Sequence, residues 1–120
     1  MDDGMLIRTR CREDVAIVDV VGCLGVESGG ALGDAVDEML CRGSRRVVLN
    51  LLDLSAVDAS GLGELARAFT LVRGTGAELR VVVRAPAVRE LLVRTRLIGV
   101  FPAYSSESDA LASLEPALSR

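Results

Sequence analysis

Apolar residues along this chain fall into two kinds of pattern, and the junction between them organises the rest. Val47 to Leu52 is a run of strand length, apolar except at Asn50. After a short polar link the period changes: Leu62, Leu65, Ala66, Phe69 and Val72 recur at three- and four-residue steps, which predicts a helix. A strand apolar on both faces belongs in the middle of a covered sheet. The turn that leaves it delivers Asp58 and Ser60 to the start of the next helix. In open α/β sheets ligands gather at that edge, outside the carboxyl ends of the strands.

The remaining elements follow in order. Met5 to Cys11 alternates, with Arg8 and Arg10 on one side and Ile7 and Thr9 on the other, as expected of a strand near an edge. Arg12-Glu13-Asp14 reads as a compact polar turn into a second, β-branched strand, Val15 to Val21, so the chain opens on an antiparallel hairpin. Gly22, Gly25, Gly29 and Gly30 punctuate a flexible connection in which Ser28 is a candidate helix cap. Ala31 to Cys41 then carries Leu32, Val36, Met39 and Leu40 on one helical face and Asp34, Asp37 and Glu38 mainly on the other, with Gly43 as terminator. Most such acidic faces are solvated charge, although a kinase or a basic partner can also use one.

Beyond the central stretch, Gly74 and Gly76 bracket the end of the second helix, and Leu79 to Val83 reads as a short buried strand. Pro86 stands at a first helical position, followed by Val88, Leu91, Leu92 and Thr95 on one face. Leu97 to Phe101 leads into a last extended piece ending near Tyr104. Ser105 or Ser106 caps a final helix with Glu107 and Asp109 in its first turn, docked by Ala110, Leu111 and Leu114. The order β-β-α-β-α-β-α-(β)-α predicts an α/β domain: a mixed sheet of four to five strands with about four helices. One domain spanning 1–120, with a core from about residue 5 to 115, is expected.

Composition narrows the chemistry. Half the residues are apolar, but Phe69, Phe101 and Tyr104 are the whole aromatic complement, so Val, Leu and Ala must build the core. All fourteen cations are Arg, and His is absent. No Ser-His-Asp triad, imidazole base, P-loop lysine or Schiff base can be assembled. A net charge of −3 argues against nucleic acid, and the Arg89, Arg94 and Arg96 group reads as a solvated helix face. Cys11, Cys23 and Cys41 are odd in number and widely spaced, which fits reduced thiols in a cytoplasm and neither a disulfide framework nor a metal site. Met-Asp-Asp-Gly opens no signal peptide, and no apolar run approaches about 20 residues, so a soluble cytoplasmic protein is expected.

Ser60 supports two readings. It is a candidate N-cap, its oxygen accepting from the free N–H groups of the first helical turn. It is equally a hydroxyl beside the positive end of a helix, where an attached phosphate is tolerated. Gly61 lacks a Cβ, which lets a partner's active site come close to the backbone. Asp58 caps the turn, orients the Ser60 hydroxyl or contributes to a partner's surface. It completes no hydrolytic constellation. Gly61-Leu62-Gly63 is a weak nucleotide signal, since Ala66 stands at the third Gly position of the fingerprint. A phosphate on Ser60 would add roughly −1.5 to −2 charges beside Asp58, an on/off switch for binding that needs no catalysis.

The stretch Asn50-Leu51-Leu52-Asp53-Leu54-Ser55-Ala56-Val57-Asp58-Ala59-Ser60-Gly61-Leu62-Gly63-Glu64-Leu65 resembles the signature segment of bacterial STAS domains, specifically the anti-sigma factor antagonists. Their pattern is an apolar strand followed by Asp-Ser-Ser-Gly-Leu, or a close variant, opening a helix. The likeness runs from the hairpin at Met5 to the last helix near Leu114, with Leu91-Leu92 and Leu97 to Phe101 similar to the family's third helix and next strand. It implies the STAS fold and phosphorylation of the serine before the glycine, here Ser60. It also implies a docking surface of Asp58, Ala59, Ser60, Gly61, Leu62 and Glu64, continuing along the helix to Arg73. Ala59 replaces the first serine of the usual pair, Asn50 stands where many members carry Asp, and the loop Gly22-Cys23-Leu24-Gly25 lacks the acidic residues often found there.

The implied partners are an anti-sigma factor that is also a serine kinase of the histidine-kinase-like ATPase fold, and a metal-dependent PP2C-type phosphatase. The unphosphorylated chain binds the kinase and frees a sigma factor; phosphorylation expels it. The protein is then a substrate and ligand, not an enzyme, with no cofactor, metal, membrane, nucleic acid or small-molecule substrate. A STAS scaffold in another bacterial signalling assembly is the alternative, and a small nucleotide-hydrolysing protein a third reading that predicts nucleotide turnover.

Overall fold

The computed structural model describes residues 5–25, 30–95 and 103–114. In chain order these form β1 (Met5–Arg12), β2 (Val15–Leu24), α1 (Ala31–Cys41), β3 (Arg46–Asn50), β4 (Leu54–Val57), α2 (Ala59–Thr75), β5 (Glu78–Val82), α3 (Pro86–Arg94), β6 (Ala103–Tyr104) and α4 (Glu107–Ser113). The strands make one mixed sheet in the order β1-β2-β3-β5-β6, with β4 added beside the far end of β2. Among the described strands only the β1–β2 pair is antiparallel. Its connection is a two-residue turn in which Glu13 and Asp14 both take positive φ, 51° and 74°, the conformation that matches the twist of a hairpin.

Side-chain alternation divides the core in two. Ala16, Val18 and Val20 of β2, Val47 and Leu49 of β3, and Leu79 and Val81 of β5 pack in one cluster with α1, α2 and α3. Val15, Ile17, Val48 and Val82 belong to a smaller cluster with Ala110 of α4 and Leu114 at its C-terminal end. Strand β3 lies between β2 and β5 and is buried on both faces, which is why its sequence reads as a near-continuous apolar run. Pro86 opens α3, Ser106 caps α4 by accepting from the Asp109 N–H at 3.1 Å, and Gly43 and Gly76 take the left-handed conformation just past α1 and at the end of α2.

Among the described residues the sheet has six strands, where the pattern suggests four to five. The addition is β4, whose Ser55 and Ala56 are exposed and therefore read as a polar link. The span Gly22 to Leu24, read as loop, is the end of β2. At Gly22 (φ 99°) the register shifts, and β2 leaves β3 and pairs with β4 instead. A bulge of this kind is invisible to periodicity. Ser28 and the segment from Leu97 to Phe101 lie outside the described residues; the residue preceding α1 is Gly30, which offers no capping side chain. Among the described residues no helix is long and apolar enough to cross a membrane.

Among the described residues one polar side chain is buried in this frame. Asp19 of β2, 5% exposed, accepts two hydrogen bonds from the Arg10 guanidinium at 2.7 and 2.8 Å and one from the Asn50 amide at 2.8 Å. Arg10 also donates to Glu107 at 2.8 Å, which ties the hairpin to α4. The Arg10 hydrogen bonds hold the Asp19 carboxyl below the usual carboxylate range; burial opposes them, and Asn50 and Arg8 assist. Because the folded state depresses this pKa, its stabilisation is present above the unfolded value of about 3.9 and is lost as pH falls through the folded value. Replacing Asp19 by Asn should therefore destabilise the protein by about 2 kcal/mol at pH 7 and flatten the loss of stability below about pH 4, both read from urea titrations across pH.

Candidate functional site

The site is built where β3, β4 and the end of β2 meet the start of α2. Asn50 closes β3: its amide donates to Asp19, and its oxygen accepts the Leu52 N–H at 3.1 Å, which shapes the exit of the strand. An aspartate here would set two carboxylates against each other, so the amide suits a chain with Asp19 across the ladder. Leu54 turns back onto the Leu51 carbonyl at 3.2 Å, and β4 runs out beside β2 until the Asp58 N–H donates to the Leu24 carbonyl at 3.1 Å.

Asp58 is the N-cap of α2. Its backbone is extended, its carboxylate accepts from the Gly61 N–H at 2.9 Å, and its carbonyl accepts the first helical bond from Leu62 at 2.9 Å. Ser60, one reading of which is a cap, instead occupies the second helical position. Aspartate two residues earlier has taken the capping role. Ser60 is exposed, and its hydroxyl has no hydrogen bond among the described residues.

Gly61 is buried, and its open side faces inward. A Cβ there would run into the Leu24 carbonyl and press on the Val57 side chain. The missing side chain therefore admits the protein's own β2 backbone, where the sequence suggested room for a partner. Gly25 has the same role from the opposite side, since a Cβ on it would meet the Asp58 carboxylate.

The other expected docking residues divide. Ala59 is exposed beside Asp58 and Ser60, whereas Leu62 is half-buried and packs against the main core. Glu64 is half-buried too, and its carboxylate accepts from the Gly30 N–H at 2.9 Å and the Leu32 N–H at 3.1 Å, at the start of α1. Periodicity could not show this bond, which joins residues 34 apart in sequence. The contact of Leu24 and Gly25 with α2 was also missed; the glycine itself was its only signal.

The open surface is thus Asp58, Ala59 and Ser60, on an outward-facing helix start. Cavities of about 750 Å³ beside Arg42, Arg45 and Arg46, and of about 400 Å³ beside Arg84 and Arg89, do not include it. Among the described residues no group of three His, Cys, Asp or Glu side chains could hold a metal ion, and Cys11, Cys23 and Cys41 are free. Such a surface can present a hydroxyl to another protein.

The two glycines of Gly61-Leu62-Gly63 have opposite surroundings, since a Cβ on Gly63 meets nothing within 4 Å. Gly61→Ala should destabilise the protein by about 2 to 3 kcal/mol. Gly63→Ala should stabilise it by about 0.5 to 1 kcal/mol through helix propensity. Urea denaturation of the two variants checks both signs.

Known proteins place this architecture. The STAS domain family model matches residues 7–110. An anti-sigma F factor antagonist from Paenibacillus polymyxa is 32% identical over 102 residues, which cover 84% of this chain and 87% of that protein. The crystal structure of an anti-sigma factor antagonist from Mycobacterium paratuberculosis superposes with a TM-score of 0.85 at 25% identity, covering 95% of this chain and 97% of that one. The Bacillus cell fate determinant SpoIIAA, solved in its phosphorylated form, shares the fold at a TM-score of 0.73 and 14% identity, over 92% of this chain and 100% of that one. With its hairpin-led mixed sheet, four described helices and an Asp-Ala-Ser-Gly-Leu start to α2, the chain belongs to the STAS domain family, among the anti-sigma factor antagonists.

Proposed function

We propose that this protein is a binding partner switched by phosphorylation of Ser60. In the unphosphorylated form it docks on an anti-sigma factor that is also a serine kinase, and the sigma factor is released. The kinase transfers the γ-phosphoryl group of ATP to the Ser60 oxygen, ADP leaves, the hydroxyl proton passes to a kinase base, and the complex separates. A PP2C-type phosphatase hydrolyses the ester, returning the serine and inorganic phosphate. The chain itself catalyses nothing in this cycle, which runs in the cytoplasm.

The observation that carries the reading is the exposed Ser60 hydroxyl with its capping role already filled by Asp58. A serine needed as a cap would have its oxygen occupied; this one is available to a kinase. A phosphate at the second position of α2 would meet the positive end of the helix, which favours it. It would also place roughly −1.5 to −2 charges beside the exposed Asp58, in the middle of any interface centred there. Attachment is therefore tolerated by the fold and adverse to the complex. The surface offered to the partner is Asp58, Ala59, Ser60 and the outer face of α2. Gly61 and Glu64 contribute by shaping it from within.

The test is a binding and turnover assay with the cognate anti-sigma kinase. Ser60→Ala should hold the kinase as tightly as the parent and stay bound when ATP is added, while the parent acquires one phosphate and dissociates. Ser60→Asp should weaken the complex at least about tenfold, equivalent to about 1.4 kcal/mol. If both variants bind and respond to ATP like the parent, Ser60 is no switch, and the scaffold role takes its place.

A further inference from the structure

The residue before α1 is Gly30, held at φ 81° in the left-handed region that glycine tolerates, and it offers no capping side chain. The acceptor comes from another helix: Glu64 of α2 receives the Gly30 and Leu32 N–H groups. Its negative charge also sits at the positive end of α1. Arg67, one turn further along α2, lies against Gly33, where any Cβ would collide with the guanidinium, and reaches Asp34 at 3.5 Å.

Ser60, Glu64 and Arg67 follow one another at i, i+4 and i+7, so they share one stripe of α2. The first carries the exposed hydroxyl, and the next two grip α1. We propose that Glu64 is a positioning residue that couples the phosphorylation state of Ser60 to the amino end of α1. A phosphate on Ser60 stands one turn from the Glu64 carboxylate on the same stripe. The two anions repel each other, so the Gly30 and Leu32 bonds that Glu64 accepts loosen when phosphate is present. Ala59 and Gly63, the exposed neighbours, bring no cation to shield the pair, and Arg67 is engaged with Asp34. Phosphorylation thus alters the partner-facing surface at a second place, the entry to α1, besides adding charge at the first. This inference deepens the proposed function and rests on Ser60 being the phosphate acceptor.

The test uses the full chain, isotope-labelled, with phosphoserine inserted at position 60 during synthesis so that no kinase is needed. Amide hydrogen exchange is followed by NMR at Gly30 and Leu32, with Val48 of the central strand as internal reference. Phosphate should accelerate exchange of the two α1 amides by about two- to fivefold, given a dianion at helical i,i+4 spacing, and leave Val48 unchanged. In Glu64→Gln, which keeps an acceptor but no charge, the two amides should exchange faster from the outset and phosphate should add little. Unchanged exchange in the phosphorylated parent, or equal acceleration in Glu64→Gln, overturns the coupling. Either negative result leaves the Ser60 switch standing, whereas a Ser60 never phosphorylated in cells would remove the switch without altering the exchange.

Discussion

The amino end of α2 rests directly on the backbone of β2, and the position of Ser60 follows from that contact. Gly61 leaves no side chain between the helix and the Leu24 carbonyl, and the Asp58 N–H donates to the same carbonyl. To meet α2 there, β2 must run past β3, which it does by the register shift at Gly22 and by pairing with β4. Gly25 then leaves room for the Asp58 carboxylate, and the carboxylate caps the helix. Glycine and aspartate thus fix the start of α2 from inside, and the serine between them is left facing solvent, its hydroxyl without a hydrogen bond among the described residues.

The sheet beneath is held for the same purpose by a different kind of interaction. Asp19 is buried beside β3, and its charge is met by Arg10 and Asn50. Through Arg10 and Glu107 the network reaches α4, on the far side of the sheet from the three helices of the main core. Asn50 belongs both to this network and to the exit of β3, so the polar centre of the sheet and the turn toward the site share a residue. Buried ion pairs are weak evidence for net stability, but removing one partner leaves the other charge buried and unpaired and is strongly destabilising, which is a constraint on the elements that carry them. Here the constraint falls on the registration of the hairpin, β3 and α4.

Much of this was legible in the sequence because the relevant signals are local. The run from Val47 to Leu52 announces a doubly covered strand, Pro86 and Ser106 mark helix starts, and the residues from Asn50 to Leu65 carry a family pattern. Most of what escaped depends on pairs far apart in the chain. Strand β4 has exposed Ser55 and Ala56 and owes its conformation to pairing with a bulged β2, which no window of residues reveals. Ser60 and Asp58 are both acceptable caps by type, and only the geometry assigns the bond to Asp58. The family resemblance assigns Glu64 to the docking surface, yet its carboxylate accepts from the Gly30 and Leu32 N–H groups at the start of α1, where the N-cap residue is a glycine. Only the folded geometry settles each of these.

The central claim is that the uncommitted hydroxyl of Ser60 is a covalent switch. The most direct measurement is phosphopeptide mapping by mass spectrometry of the protein recovered from its own cells, with and without phosphatase treatment. The account predicts a phosphatase-sensitive phosphate on Ser60 in a fraction that changes with growth condition. Ser60 found unmodified across growth conditions, or phosphate only at other residues, would contradict it.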